Sequence, residues 1–132
     1  MGEYKIELKT TIDGEKTELV SYGDVTEEFG STVVAFEDGE ENSLSRIVIG
    51  DGIVSVVRDG AIRSVMQFEK GKTLCADVNT DWGSFSFPYT VQRVFSHVGD
   101  HGVRLKLEYV GGEGEDATRY EVDMKCEKVA AC

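Results

Sequence analysis

The stretch VRLKLEY at Val103–Tyr109 decides the fold, because its apolar and polar residues alternate strictly. Successive side chains of a β-strand point to opposite faces, so this pattern predicts a strand with one buried face and one solvent face. The same alternation recurs in YEVDMKC at Tyr120–Cys126, and a less strict form of it in IRSVMQF at Ile62–Phe68. Asp-Gly pairs such as Asp13-Gly14 and Asp59-Gly60 separate such runs and are typical of tight hairpin turns. The sequence therefore predicts an all-β protein.

Ten strands follow from the alternating runs and the turns between them. We place them near residues 3–12, 15–26, 31–37, 43–50, 52–58, 61–70, 72–80, 84–96, 102–110 and 118–128. Consecutive strands joined by short turns form an up-and-down meander, and closing the meander into a barrel removes its exposed edges. We expect one domain over residues 1–132, a closed or nearly closed antiparallel β-barrel of about eight to ten strands.

Two segments are expected to depart from regular strands. Thr26–Phe29 carries the best helical signal of the chain, but it is long enough for a single turn at most. Pro88 lies inside a strand-like run, where it removes a hydrogen bond of the ladder. We therefore expect a sheet edge, a bulge or a bend at Pro88.

Charge and cysteine content narrow the possible partners and the location. The net charge of −11 disfavours nucleic acid and anionic membranes, and it is compatible with a neutral or basic ligand. With neither an apolar signal region nor a spanning segment, we expect a cytoplasmic protein.

The three cysteines are widely spaced and fit reduced thiols. Cys126 shares the apolar parity of its strand and is expected to be buried, Cys75 is expected to be exposed, and Cys132 is terminal.

Most of the chain, more clearly after residue 43, resembles a known family. The resemblance lies in a strand ending at Arg58-Asp59-Gly60, a Met-x-Phe strand closing on glycine at Met66–Gly71, a corner at Thr80–Gly83 and the late strand Leu105–Tyr109. These motifs resemble the bacterial YwiB-like proteins of the lipocalin-like (calycin) barrel group. The resemblance implies a closed antiparallel barrel and no established biochemistry. Typical lipocalins also have an N-terminal Gly-x-Trp signature and disulfides, whereas Trp82 is the single tryptophan here, so extracellular transport is not implied.

Three candidate ligand contacts lie on the middle strands. Arg58 ends an apolar strand beside a turn, where its guanidinium can hold an anionic ligand or pair with a carboxylate or strand-end carbonyls across the rim. Met66 and Phe68 share one strand face. They can line a ligand pocket, since methionine adapts to irregular ligands, or they can simply pack in the core.

Three further candidates surround the next turn. Trp82 can stack a flat or cationic ligand at a barrel mouth, or it can close one end of the barrel as a plug. Phe85 and Phe87 extend the apolar face, either as core residues or as ligand contacts. The favoured interpretations are a plug for Trp82 and core packing for Phe85 and Phe87.

Signals for metal binding and catalysis are weak. His97, Asp100 and His101 cluster at one turn, but their spacing matches no strong metal motif, so we expect a solvated turn and no metal. The acidic run Glu37–Glu41 is expected to be a solvated hairpin tip. Paired catalytic carboxylates, a Ser-His-Asp order, a nucleophile elbow and a phosphate loop are not found in persuasive form. We expect neither an enzyme nor a cofactor.

Two hypotheses of function remain. In the first, the barrel binds a small apolar or amphipathic ligand in its interior, through the six candidate contacts. In the second, the barrel has a filled core and binds a protein partner through its acidic rim or through an unpaired edge near Pro88. An interior lined by polar groups would favour a third hypothesis, an enzyme, but the alternation predicts the opposite.

Overall fold

A computed structural model describes residues 4–37, 43–100, 102–112 and 114–129. Every strand pairs antiparallel with its neighbours in sequence, and β1 pairs with β10 to close the barrel. A short 3-10 turn at Gly114–Asp116 precedes the last strand. The strands are β1 (Tyr4–Ile12), β2 (Glu15–Glu28), β3 (Ser31–Glu37), β4 (Leu44–Gly50), β5 (Ile53–Asp59), β6 (Ile62–Phe68), β7 (Thr73–Thr80), β8 (Gly83–Gly99), β9 (Gly102–Gly111) and β10 (Thr118–Lys128).

The predicted closed antiparallel barrel and its ten strands are confirmed. The largest difference in bounds is at the end of β8, which continues to Gly99. β8 pairs with β7 from Gly83 to Thr90 but with β9 only from Tyr89 onward, so the stretch that ends at Pro88 is paired along one side, which agrees with the expected sheet edge. No helix long and apolar enough to cross a membrane occurs in the part of the chain that the structure describes.

Three hairpin turns have positive φ at both central residues. They are Asp13-Gly14 (φ 49° and 87°), Phe29-Gly30 (53° and 82°) and Asp51-Gly52 (51° and 77°). This is the requirement of the type I′ turn, whose twist matches that of the flanking strands. The two Asp-Gly turns were predicted. Phe29-Gly30 replaces the single helical turn that the sequence allowed, because the ladder between β2 and β3 continues up to Glu28 opposite Ser31.

Pro88 lies where one ladder stops. Its partner on β7 is Cys75, and its carbonyl accepts a hydrogen bond of 3.1 Å from the Gly112 N–H. The ladder between β8 and β9 begins one residue later, with Tyr89 opposite Gly111. The missing N–H of Pro88 therefore falls at the end of a ladder. A register shift, which is the predicted kind of irregularity, follows between Val91 and Arg93.

The two ends of the barrel differ in how well their inward-facing side chains are buried. We call the end formed by the turns Asp13-Gly14, Gly60-Ala61 and Asp81-Trp82 the upper end, and the opposite one the lower end. Inward-facing apolar residues close to the lower ends of their strands are almost wholly buried: Ile6, Ile49, Val54, Val103 and Cys126. Val98, on the extension of β8 past the register shift, is exposed.

Candidate functional site

An aromatic ladder runs along the inside of the barrel from its centre to the upper end. Phe68 contacts Tyr89 and Tyr109, with ring centroids 5.7 and 5.0 Å apart. From Tyr89 the ladder continues to Phe87 at 6.4 Å and from there to Phe85 at 6.5 Å. Residues at alternate positions of β8 share one face, which is why one strand supplies three successive rings. These separations are those of mutually attractive aromatic pairs.

Exposure increases along this ladder towards solvent. Tyr89 is fully buried and Phe87 is half-buried, whereas Phe85 is 57% exposed although it occupies an inward-facing position. A second branch leads from Tyr109 to Tyr120, whose rings stack at 4.7 Å with an interplanar angle of 7°. The aromatic ladder therefore reaches solvent at the upper end of the barrel, through Phe85. We call this end the upper mouth.

Tyr89 fixes the lower part of the ladder to the barrel wall. Its hydroxyl donates to the Gln67 carbonyl at 2.7 Å and accepts from the Gln67 N–H at 2.9 Å. Pairing between β6 and β7 ends at Val65 opposite Asp77, so the phenol takes the place of a strand partner for Gln67. Burial raises the pKa of Tyr89, and it raises the pKa of Tyr109 as well, so both phenols are neutral at physiological pH.

The opposite wall of the upper mouth is polar. Arg58 faces inward from β5, half-buried, between Ser45 on β4 and Ser64 on β6. One level higher, Ser43 is 1% exposed, and its hydroxyl has no hydrogen-bond partner among the described residues. A Cβ atom placed on Gly60 would collide with the Ser43 hydroxyl, so only glycine leaves room for that side chain beneath the turn. We call Ser43, Ser45, Arg58 and Ser64 the polar cluster.

A single row of inward-facing residues joins the polar wall to the aromatic wall. Arg58 lies opposite Ser64, Ser64 lies opposite Val78, and Val78 lies opposite Phe85. Two of the predicted contacts, Arg58 and Phe85, are thus brought to the same level of the barrel. The sequence alone pointed to them separately and gave no reason to connect them.

The other predicted contacts lie at different depths. Phe68 is 2% exposed and packs between two tyrosines, which is the core arrangement, and Met66 is half-buried beside it in sequence. Phe87 lies between the buried and the open parts of the ladder. Trp82 is 98% exposed on the turn after β7, so the interpretation of this residue as a plug is wrong. The reason is local: a tight turn held by a 3.2 Å hydrogen bond from the Trp82 N–H to the Thr80 hydroxyl leaves its ring outside the barrel.

Sequence reasoning did not single out the serines of the polar cluster. Ser64 interrupts an apolar alternation on β6, and Ser43 and Ser45 do the same at the start of β4. The sequence did contain one signal for these residues, namely a serine at a position that the alternation assigns to the inward face. It becomes meaningful only when strand pairing places Ser45 and Ser64 on either side of Arg58, with Ser43 against Gly60 one level higher.

Cys75, Cys126 and His97 do not contribute to the upper mouth. Cys75 is exposed and Cys126 is buried, as predicted, and burial raises the pKa of the Cys126 thiol to about 12. Over the described residues, no group of three or more His, Cys, Asp and Glu side chains is placed to hold a metal ion. His101, Cys132 and residues 38–41 of the acidic tip predicted at Glu37–Glu41 lie outside the described residues, so those expectations stay predictions.

The outer wall carries charge of both signs. A cleft of about 350 Å³ between β8 and β2 is lined by basic side chains, including Lys9 and Lys106, and by acidic ones. Ion pairs cross this face, such as Arg119 with Glu108 at 2.9 Å. Since basic and acidic side chains alternate along this cleft, and Lys106 pairs with Asp123 at 3.9 Å, its described residues form no patch of one sign.

These features define a class: a closed ten-stranded antiparallel up-and-down barrel with an aromatic and polar mouth. The chain belongs to the DUF1934 family, a domain of unknown function, whose model matches residues 4–124. The structure is similar to the crystal structure of the ywiB protein from Bacillus subtilis, with a TM-score of 0.80 and 15% identity over 96% of this chain and 92% of that one. At this identity the likeness shows the fold. No curated protein matches the chain. The resemblance to YwiB-like proteins is confirmed.

Proposed function

We propose that this protein binds a small apolar or amphipathic molecule at the upper mouth of the barrel. The observation that supports this most directly is the exposure of Phe85, an inward-facing aromatic residue that is 57% accessible to solvent. Fully burying a phenylalanine side chain stabilises by about 1.5–3 kcal/mol, and the part of this free energy that belongs to the exposed surface of Phe85 is still available to a ligand. Up-and-down barrels of this size hold one small ligand where side chains do not fill them.

The ligand in this proposal lies above the centre of the barrel and not deep inside it. Phe68, Tyr89 and Tyr109 pack against one another below the mouth and form its floor. Phe85 and Phe87 supply the side wall, and Met66 adapts its shape beneath them. Trp82, on the adjoining turn, stacks over a ligand that extends from the mouth. Such binding needs no catalytic group and no cofactor, and we place it in the cytoplasm.

A fluorescence titration with N-phenyl-1-naphthylamine, an uncharged aromatic probe, tests this proposal. We expect saturable binding, and we expect Phe85→Ala to weaken it about tenfold, which corresponds to about 1.4 kcal/mol. Phe95→Ala is the matched control, because Phe95 is 46% exposed but lies beside Lys106 on the outer face of the same strand. Loss of affinity in both variants alike, or no saturable binding to the wild type, would contradict the proposal.

A second candidate function, an interaction domain, is favoured by apolar residues on the outer wall. Val20 and Tyr22 face outward from β2, and each is 55% exposed. Together with the packed floor of the barrel, these residues suit a protein partner that docks on the outside. Gentle co-purification of the wild type and of Tyr22→Ser tests it: a partner that is retained equally by both proteins does not use this surface.

A further inference from the structure

We propose that β8, between Gly83 and Phe87, binds an extended peptide segment of a partner protein, which adds to the sheet as one more strand. We call this stretch of β8 the open edge. The segment has apolar residues at alternate positions and basic residues between them. The inference goes beyond the proposed function, because the ligand here is part of a protein and is bound through backbone hydrogen bonds.

The lengths of the strands leave the open edge without a neighbour on one side. β8 pairs with β7 from Gly83 onward, whereas its ladder with β9 begins only at Tyr89, opposite Gly111. The chain then leaves the sheet: Gly112, with a φ of 84°, donates to the Pro88 carbonyl, and a 3-10 turn follows. Beside the open edge, the place that a longer β9 would fill therefore holds no strand of the described residues.

The hydrogen bonds next to the open edge show which backbone groups face this vacant side. The carbonyl of Pro88 points to the β9 side, whereas the N–H of Val91 donates to Lys72, next to β7. Successive residues of an antiparallel strand direct their N–H and carbonyl groups alternately to the two sides. Ser84 and Ser86 therefore point their N–H and carbonyl groups away from β7. These four groups make no hydrogen bond with the described residues.

The side chains of the open edge leave its backbone accessible. Natural proteins protect the edges of their sheets with lysine, proline, bulges or a covering loop, because an accessible edge is a template for another strand. Pro88 blocks only the lower end of the open edge. Above it, Ser84 and Ser86 are small, uncharged and exposed. A strand can approach their backbone groups without displacing a side chain.

The two faces of the open edge determine the pattern of the incoming segment. Phe85 and Phe87 face inward and are 57% exposed and half-buried, whereas Ser84 and Ser86 face outward. Directly opposite residues of paired strands have their Cβ atoms about 4.5–5.5 Å apart. Apolar side chains opposite the two phenylalanines would therefore cover the upper part of the aromatic ladder. The residues between them would remain on the outer face.

A cavity on the outer face favours basic residues at these outer positions. Its volume is about 380 Å³, and its lining includes Asp77, Asn79 and both serines of the open edge. Asp77 lies opposite Ser86 on β7, is exposed, and makes no ion pair with the described residues. Arg63, on β6, lies opposite Asn79 and not opposite Asp77. A lysine or arginine paired with Ser86 extends its long side chain across this serine towards the carboxylate of Asp77.

Charge also distinguishes a basic partner from a second copy of this chain. Asp81, Glu115 and Asp116 are exposed on the turns at the same end of the barrel. Two copies paired edge to edge would bring these acidic residues together, and each copy has a net charge of −11. Like charges that meet at an interface disfavour it, whereas opposite charges speed association. The open edge therefore suits a basic segment.

Hydrogen exchange of single amides, followed by NMR, tests the proposal with the peptide acetyl-Lys-Val-Lys-Val-Lys-Val-Lys-amide. In the free protein, we expect the amides of Ser84 and Ser86 to exchange faster than those of Phe85 and Phe87, which face β7. Saturation with the peptide should slow exchange at the two serines about tenfold or more and leave the two phenylalanines unchanged. Only a strand paired along the open edge protects alternate residues in this way.

Ser86→Pro gives a second test, because it removes an N–H group that the fold itself does not use. Pro88 has the same orientation two residues further along the strand. We expect Ser86→Pro to weaken the peptide about tenfold and to leave binding of N-phenyl-1-naphthylamine unchanged. Ser86→Ala is the matched control, since it keeps the N–H and should keep the affinity.

Asp77→Asn tests the choice of basic residues and should weaken the peptide several-fold. Asp24→Asn makes the same change of charge at an exposed position of β2 and should leave the affinity unchanged. Equal effects of the two substitutions would overturn the role of Asp77. If Ser86→Pro does not fold, as judged by circular dichroism, peptides methylated on alternate backbone nitrogens decide. Methylation in one phase should abolish binding, and methylation in the other phase should not.

The remaining outcomes overturn the open edge as a peptide site. They are the absence of saturable binding, binding without protection of Ser84 and Ser86, and equal affinity for peptides methylated in either phase. Dimerisation of the wild type that protects the same two amides would assign the edge to a second copy and overturn the peptide. None of these outcomes affects the titration with N-phenyl-1-naphthylamine, so this inference and the proposed function can fail separately.

Discussion

The lower and upper ends of this barrel are built from the same ten strands but differ in what their inward-facing side chains do. Near the lower end and the centre, Ile6, Leu105 and Met124 are completely buried. At the upper mouth, Phe85 remains exposed and Arg58 faces inward among serines. The apolar part supplies the stability of the barrel, and the upper mouth carries features that stability does not require. The predictions below ask how sharp this division is.

Leu105→Ala should have the largest effect on stability. Leu105 is 0% exposed and packs inside the barrel, so truncation leaves a cavity and costs about 2–5 kcal/mol of the free energy of unfolding. Phe85→Ala, a larger truncation at the open end, should cost less than about 1 kcal/mol. Urea denaturation of both variants measures the difference. If Phe85→Ala is as destabilising as Leu105→Ala, the upper mouth is part of the core and the division is wrong.

Tyr89→Phe tests the junction between the two regions. Removing the hydroxyl leaves the partly buried backbone N–H and carbonyl of Gln67 without the bonds of 2.9 and 2.7 Å that they make with it. Such unpaired groups cost about 1–3 kcal/mol, so we expect a loss in that range with the aromatic packing intact. Tyr22→Phe, at an exposed tyrosine, should change stability by less than about 0.5 kcal/mol. Similar losses of stability in both variants would mean that β7 or water can supply the hydrogen bonds of Gln67 in place of the phenol.

The buried thiol of the lower end predicts a pH dependence. Burial raises the pKa of Cys126 from 9.0 to about 12, so the folded protein keeps the proton while the unfolded chain loses it. The contribution of the Cys126 thiol to the free energy of unfolding is therefore intact below pH 9, and it is lost as pH rises towards about 12. Stability of the wild type should fall more steeply in that window than stability of Cys126→Ala. Cys75→Ser, at an exposed cysteine, should keep the steep wild-type profile, and a flat profile there would contradict the assignment to Cys126.

Phe29→Asn should stabilise the protein. Phe29 has a φ of 53° and is fully exposed, so a bulky residue adopts a left-handed conformation there without burying its ring. Asparagine followed by Gly30 is the preferred sequence of a type I′ turn, and the gain should be about 1 kcal/mol. Thermal unfolding measures it, with Asp51→Ala as the opposite change in an equivalent turn. A loss of stability on Phe29→Asn would show that the ring has a structural contact.

The sequence predicted those features of the barrel that one strand can determine by itself. Alternation in a run such as Ile62–Phe68 depends only on the strand that contains it, so every strand was found. The position of Trp82 depends on the hydrogen bonding of one turn, which the alternation of residues along a strand does not determine. The polar cluster was missed for a different reason. Ser45, Arg58 and Ser64 come from β4, β5 and β6, and they become neighbours only when two registers are fixed.

The smallest effect is expected on the outer wall, where charge is abundant but exposed. Arg119 pairs with Glu108 at 2.9 Å and with Glu121 at 3.5 Å, and its side chain is largely in solvent. Exposed ion pairs contribute about 0.2–1 kcal/mol and are screened by salt, so Arg119→Met should cost less than about 1 kcal/mol, and less still at 1 M salt. A double-mutant cycle with Glu108→Gln isolates the pair from the packing of the arginine stem. A coupling energy above about 2 kcal/mol would mean that the outer wall stabilises this barrel as strongly as a buried side chain does.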